Sequence, residues 1–211
     1  MNPAQNTSIL QVDALHFSHP NQALFSNFSA SIPQRITLIR GGDGCGKSTL
    51  LRLLAGALKL QSGQLHINGI SLQAQPENYT AHVFLADPRT DSFDQFTVPD
   101  YFDLQRSKHA GFNDSVLAEV IDGLGLEEHF HKQLFMLSTG SKRKVFLAAA
   151  LASGAQVTLL DDPFAALDAA SIRFVLVWLN AAASVSDRAW VIAGHVAPDG
   201  LRLVHIIDLG D

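Results

Sequence analysis

The sequence indicates an α/β fold with a mostly parallel sheet, preceded by an antiparallel β portion and interrupted by a helical insert. The main observation is a glycine-rich segment, 41–48, between an apolar strand at 36–39 and a leucine-rich helix beginning near Lys47. Further along the chain, apolar strands alternate with helices, which is typical of parallel sheets covered by helices. The alternating elements are a strand at 157–160, a helix at 171–183 and a strand at 190–193.

The remaining elements follow from residue alternation and turn residues. Short β segments are predicted at 9–17 and 25–39, with breaks at 19–21 and 31–33. They are followed by a predicted helix at 47–58 and by predicted strands at 64–70, with a turn at Asn68-Gly69, and at 82–85. Short helices are predicted between 87 and 137, one of them capped by Thr97. A further helix continues through 145–151.

This order predicts a single domain over residues 1–211. Segments 1–86 and 145–211 form its core with the β portion, and 87–144 form a small helical subdomain.

Composition narrows the class of protein. The 211 residues are 47% hydrophobic and 17% charged, as in a globular protein, and the longest apolar run, 145–152, is far shorter than the ~18 residues of a membrane span. The start of the chain lacks a charged-then-apolar leader, so we expect a cytoplasmic protein. A single cysteine, Cys45, fits a reducing compartment, and the net charge of −5 does not favour nucleic acid as a partner.

The segment 41–48 matches the phosphate-binding pattern G-x-x-x-x-G-K-[ST]. Its glycines let backbone N–H groups turn towards an anion, and the following helix presents its positive end to the same anion. Lys47 adds a charge for the β- and γ-phosphates, and Ser48 is placed to ligate Mg²⁺. The motif therefore predicts binding of a nucleoside triphosphate.

The strand at 157–160 ends in two adjacent acids, Asp161 and Asp162. In phosphate-loop ATPases the first such acid helps to hold magnesium and the next residue orients the attacking water. We therefore expect Asp161 to be a metal ligand and Asp162 to be catalytic.

Five motifs in order make the chain similar to the ATP-binding cassette (ABC) ATPases. Segment 137–144 resembles the family's L-S-G-G-Q signature, Ala166-Leu167-Asp168 resembles its D-loop, and His195 follows strand 191–193 as its switch histidine does. Phe17 matches the aromatic residue that stacks on adenine. The resemblance extends from about Ile9 to the end of the chain and implies the ABC type of P-loop fold.

The resemblance implies a site shared by two chains, each pairing its P-loop with the other chain's signature. Lys47, Asp162 and His195 would be catalytic, and Ser48, Asp161 and Asp87 would hold Mg²⁺. The residues implied to bind ATP are Phe17, Gly41, Gly42, Asp43, Gly44, Cys45, Gly46, Lys47, Ser48, Thr49, Ser138 and Gly140. The basic run 142–144 either adds positive potential near the phosphates or forms a solvated helix face.

Three acids depart from the family pattern. Asp162 stands where glutamate is usual, and a carboxylate shortened by one methylene sits back by about 1.5 Å. Asp87 replaces the Q-loop glutamine, and Asp43 stands where the P-loop often has asparagine. Extra negative charge near phosphate is repulsive. We therefore expect ATP binding to be retained and hydrolysis to be slow.

The expected function is that of a transporter's ATPase subunit, peripheral on the inner face of the membrane. Its partners would be a second ABC subunit, identical or different, and a transmembrane permease, with no nucleic acid. Two alternatives remain open: a soluble ABC ATPase acting on a macromolecular assembly, and an ATP-gated binding module with little hydrolysis.

Overall fold

The computed structural model describes residues 8–20 and 22–210. Its strands are β1 (Ser8–His19), β2 (Gln22–Pro33), β3 (Arg35–Arg40), β4 (Ser62–Ile67), β5 (Ile70–Ser71), β6 (Val83–Ala86), β7 (Val157–Asp161), β8 (Ala189–Ala193) and β9 (Leu203–Asp208). Its helices are α1 (Lys47–Leu54), α2 (Pro76–Ala81), α3 (Val98–Lys108), α4 (Asp114–Leu124), α5 (Thr139–Ala152) and α6 (Ala169–Val185). Short 3₁₀ turns occupy Glu127–His129 and Leu134–Met136.

The strands form two sheets, as the sequence predicts. Strands β2, β1, β4 and β5 make an antiparallel sheet in that order, and β6, β7, β8, β3 and β9 make a parallel sheet. All five residues of β7 and of β8 are buried, which matches their mostly apolar sequences in the middle of a covered sheet. The predicted α/β class is therefore confirmed.

The helical region is less separate from the core than its predicted limits suggest. Helices α3 and α4 pack against α5, but α5 also packs against β6 and β7 of the parallel sheet. Since α5 runs without a break from Thr139 to Ala152, the predicted limit at 144/145 falls inside one helix. The division into a core and an insert remains a prediction.

Local signals explain where the helices begin. Thr97 accepts a hydrogen bond from the backbone N–H of Asp100, whose carboxylate reaches back to the Thr97 N–H, so the predicted cap of α3 is a full capping box. Asn113 caps α4 by accepting from the Val116 N–H. Side-chain caps therefore fix the starts of α3 and α4.

Candidate nucleotide-binding site

The loops that carry the predicted site residues meet at one edge of the parallel sheet. Strands β3, β6, β7 and β8 end at Arg40, Ala86, Asp161 and Ala193. Because these strands are parallel, their carboxyl ends lie at the same edge, where open α/β sheets bind ligands. The P-loop, Asp87, Asp162 and His195 follow those ends directly.

The P-loop backbone has the conformation of an anion cradle. Gly41, Gly44 and Gly46 all have positive φ, and a Cβ on Gly41 would lie 2.6 Å from Cys45 Sγ and 2.6 Å from the Gly210 carbonyl oxygen. Helix α1 begins directly after Gly46, with no side-chain cap and no acid in its first turn. Its N-terminal N–H groups are therefore available to an anion.

Lys47 lies folded over this loop. Its Nζ donates to the carbonyl oxygens of Gly41 and Gly42, both at 2.7 Å, and lies 3.8 Å from Cys45 Sγ. Gly42 in turn donates its N–H to the Gly210 carbonyl at 3.0 Å. The ammonium group is thus held next to the position that a phosphate in the loop would take.

A cavity of about 270 Å³ opens beside the P-loop. Its walls include eight residues that the sequence predicts for the site: Asp43, Gly44, Gly46, Lys47, Ser48, Thr49, Asp162 and His195. Four further lining residues were not predicted: His19, Gln22, Leu24 and Arg89. His19 follows Phe17 by two positions on β1, so the period of a strand places both on one face, a signal that could have identified it.

Asp161, the last residue of β7, has the environment of a cation ligand. Its side chain is 3% exposed, and within the described residues its Oδ2 lacks a hydrogen-bond partner. Burial raises the pKa of its carboxyl, and the Ser48 hydroxyl and Arg89 act in the opposite direction. A buried carboxylate oxygen without a hydrogen bond, beside a serine hydroxyl, fits the oxygen ligands that Mg²⁺ requires.

Each of the three unexpected acids is held by a basic side chain. Asp162 Oδ2 accepts from Arg89 Nη2 at 2.8 Å, and Asp43 Oδ1 lies 2.9 Å from His195 Nε2. Asp87 Oδ2 accepts from Arg52 Nε at 2.8 Å and from Arg52 Nη2 at 2.6 Å. Asp87 and Asp162 are therefore paired with arginine, whereas the Asp43 side chain is 97% exposed beside His195.

The contacts of Asp87 differ from those expected of a metal ligand. Besides the Arg52 pair at Oδ2, its Oδ1 accepts from the Arg89 backbone N–H at 3.1 Å, and the residue is 8% exposed. Since protein partners use both oxygens, the geometry gives the predicted metal role no support, and that role stays a prediction of the sequence.

Phe17 is half-buried, and its ring makes an edge contact with the His19 ring, with 5.2 Å between centroids. Of the two, His19 is the one that lines the cavity. Stacking of Phe17 on adenine stays a prediction, and His19 is the ring that lies nearer to the cavity.

The signature segment begins α5. Ser138 caps the helix by accepting from the Ser141 N–H at 3.1 Å. A Cβ on Gly140 would lie 2.5 Å from the Ala166 carbonyl oxygen, so only glycine lets the helix approach the D-loop this closely. Among the residues that the structure describes, Ser138 and Gly140 are outside the walls of the 270 Å³ cavity.

The three basic side chains at 142–144, which follow the signature, all bind to other parts of the chain. Lys142 Nζ donates to Asp94 and to the Thr90 carbonyl, and the buried Arg143 donates to the Ala165 carbonyl at 2.6 Å. Lys144 Nζ pairs with Asp168 Oδ2 at 2.8 Å, which lowers the pKa of Asp168. A solvated face therefore does not describe these side chains, and only Lys142 and Lys144 have a carboxylate partner.

Comparison with known proteins agrees with this geometry. The family model described as "ABC transporter" matches residues 25–165. CcmA of Wolbachia pipientis, a cytochrome c biogenesis ATP-binding export protein, is 30% identical over 205 residues, which cover 95% of this chain and 96% of that protein. PotA of Thermotoga maritima, a spermidine/putrescine import ATP-binding protein, is 31% identical over 81% of this chain. That match takes in only 46% of PotA, so the chain spans about half the length of this relative.

Solved structures share the fold. The structure of an ATP-binding subunit of an ABC transporter has a TM-score of 0.79 at 20% identity, over 90% of this chain and 80% of that one. A putative ABC transporter ATP-binding protein from Pyrococcus furiosus has a TM-score of 0.75 at 22% identity, over 96% of this chain and 98% of that one. Fold and site together define a P-loop nucleotide-binding protein. The chain belongs to the ABC transporter family, among its ATP-binding subunits.

Proposed function

We propose that this chain binds Mg·ATP and hydrolyses it slowly, as the energy-supplying subunit of a transporter. The observation that carries the proposal is one cavity that joins the P-loop, Lys47, Ser48, Asp162 and His195, beside the buried carboxylate of Asp161. Magnesium bound by Ser48 and Asp161 would neutralise charge on the β- and γ-phosphates.

The chain's own residues divide the remaining work. The P-loop N–H groups and Lys47 hold the phosphates. Asp162 accepts a hydrogen bond from the attacking water and so orients it. His195, beside Asp43, supplies a hydrogen bond near the terminal phosphate. Because Asp162 is one methylene shorter than glutamate, the water is held less closely and turnover is slow.

The direct test is equilibrium binding of ATP with Mg²⁺. Lys47→Ala should weaken binding by about 10-fold to 100-fold, because a charge-assisted hydrogen bond to phosphate contributes about 1.5–3 kcal/mol. Lys59→Ala is the matched control, since Lys59 is exposed and outside the cavity walls in the described structure. Equal affinities for the two variants would contradict the proposal.

A transmembrane permease is the proposed partner, and the chain would sit on the inner face of the membrane. Within the described residues, none of the helices has the length and apolar character of a membrane span. A groove of about 490 Å³ lies between α2 and α3, lined by Thr80, Ala81, Tyr101, Gln105 and Lys108 among others, and joins the core to the helical region. We place the permease contact there, because α3 also packs on the signature helix α5.

Recovery with membranes tests this contact. Lys108→Glu should release the chain from the membrane fraction of cells that carry the partner, because it reverses a charge at the groove. Arg173→Glu, on the exposed side of α6, makes the same charge reversal away from the groove and should not. Equal membrane recovery of both variants and the original protein would contradict the assigned contact.

The second candidate is an ATP-gated binding module. The ion pair between Arg89 and Asp162 favours this candidate, because it engages the residue that is expected to orient water. Tight ATP binding with turnover no higher than that of Lys47→Ala would select this reading.

A further inference from the structure

We propose that Arg89 binds the γ-phosphate of ATP and that Asp87 and Arg52 hold it in place for this role. The inference rests on the proposed function, because it assigns a further phosphate ligand to the same ATP site. It also gives the chain a means of distinguishing ATP from ADP.

The position of Arg89 indicates the terminal phosphate. Its side chain lines the cavity together with Lys47, Ser48 and His195. Its Nη2 lies 2.8 Å from Asp162 Oδ2 and 3.7 Å from Asp161 Oδ2. The guanidinium is therefore at the end of the cavity where Asp161 and Ser48 fit magnesium, which is the end that faces the β- and γ-phosphates.

The backbone that carries Arg89 is tied to the P-loop helix. Asp87 accepts from the Arg89 N–H with one oxygen and from Arg52 with the other. Arg52 lies on α1, the helix that begins at Lys47. One buried carboxylate thus fixes the start of the Arg89 segment relative to the phosphate cradle, which makes Asp87 and Arg52 positioning residues.

The pair with Asp162 is of a kind that a nucleotide can displace. The Arg89 side chain is 54% exposed and that of Asp162 is 29% exposed, and solvent-exposed ion pairs add little to stability. A terminal phosphate carries more charge than one carboxylate and offers oxygens that match the planar guanidinium in a bidentate manner. When ATP binds, Arg89 moves from Asp162 to the γ-phosphate, which also frees the Asp162 carboxylate for water. ADP has no γ-phosphate and leaves Arg89 on Asp162.

The test compares affinities for a non-hydrolysable ATP analogue, β,γ-imido-ATP, and for ADP, each with Mg²⁺. Arg89→Ala should weaken analogue binding by about tenfold or more and change ADP binding less than about twofold. Arg89→Lys keeps the charge but not the bidentate geometry, so it should retain part of the preference. Arg202→Ala is the control, because Arg202 precedes β9 and the parallel register places it at the opposite end of the sheet.

A double substitution separates phosphate contact from simple neutralisation of Asp162. If Arg89 contacts the phosphate, Arg89→Ala should still cost about tenfold in analogue affinity when Asp162→Asn is already present. If Arg89 only neutralises Asp162, the loss disappears in that background, and the proposal is overturned.

The remaining outcomes are equally decisive. Equal losses for the analogue and ADP would mark Arg89 as a structural residue, and no loss for either would exclude it from the site. If the original protein binds neither nucleotide, the proposed function itself fails. If Lys47→Ala loses binding while Arg89→Ala does not, only the present inference fails.

Discussion

The acids that set this chain apart are each matched by a basic neighbour. From sequence alone, Asp43, Asp87 and Asp162 add negative charge where phosphates must bind. In the structure their nearest partners are His195, Arg52 and Arg89, all within hydrogen-bonding distance. The arginine partners of Asp87 and Asp162 compensate those two carboxylates locally, because each guanidinium charge offsets their repulsion of phosphate.

Asp162 combines a short carboxylate with an unusual backbone conformation. Its φ of 46° lies in the left-handed region, which aspartate tolerates better than most residues. We expect Asp162→Glu to raise turnover by about tenfold, because the longer side chain brings the carboxylate nearer to the water. The same change should lower the free energy of unfolding by up to ~1 kcal/mol, since glutamate is less suited to this backbone.

Both effects are measurable on purified protein, as ATP turnover and as a denaturant midpoint. Asp162→Asn is the matched control, because it keeps the length of aspartate but not its charge, and it should abolish turnover. Unchanged turnover in Asp162→Glu would show that the length of this acid does not limit the rate.

In the absence of metal, we expect the protein with Asp161 to be less stable than the variant Asp161→Asn. Because burial raises its folded-state pKa above the unfolded value, the ionised form is disfavoured by folding, and this penalty is relieved as pH falls through the folded pKa. At neutral pH in chelator we expect Asp161→Asn to melt at a higher temperature than the original protein, because the amide carries no charge that burial disfavours.

The difference in melting temperature between Asp161→Asn and the original protein should shrink as the pH is lowered. Thermal melting measured over a range of pH checks this expectation. Mg·ATP should stabilise the original protein more than Asp161→Asn, because the variant lacks a charged metal ligand. A variant that melts lower at neutral pH without metal would contradict this description of Asp161.

At the level of the elements, two helix caps allow structural and functional effects to be separated. Ser138 caps α5 and Asn113 caps α4 through the same kind of bond. Each change to alanine should cost about 1 kcal/mol in the free energy of unfolding, the usual value for loss of a cap. Only Ser138→Ala should also reduce turnover, because the signature is proposed to reach ATP in the partner subunit.

Unfolding curves and ATP turnover, measured on the same preparations of the two cap variants, test this expectation. If Asn113→Ala lowers turnover as much as Ser138→Ala does, the loss comes from helix stability and the signature has no separate role.

Elements with a strong local pattern were predictable from sequence, and those fixed by distant contacts were not. Strand β7 is mostly apolar and the start of α3 carries a full capping box, so both were predicted close to their observed limits. Edge strand β9 was missed because its residues are mostly exposed or half-exposed, and the short helix α2 because six residues carry little periodicity. The P-loop cradle followed from its glycines. The role of Arg89 did not, because its partner Asp162 is 73 positions away and the spacing of residues does not reveal such a pair.

At the level of the whole molecule, the P-loop cavity and the signature segment at the start of α5 are separate. The P-loop cavity lies at the carboxyl edge of the parallel sheet, and within the described structure Ser138 and Gly140 are outside its walls. Arg143 and Lys144 bind the signature helix to the Ala165 carbonyl and to Asp168 of the D-loop region. A second chain is therefore proposed to complete each site.

Steady-state turnover of Mg·ATP over a range of protein concentrations is the decisive measurement for this arrangement, with Lys47→Ala as the blank. Because two chains are proposed to form each complete site, specific activity should rise with protein concentration and then level off, and it should vanish in the blank. Specific activity that is the same at every concentration, or that persists in Lys47→Ala, would contradict an ATPase whose site is shared between two copies of this chain.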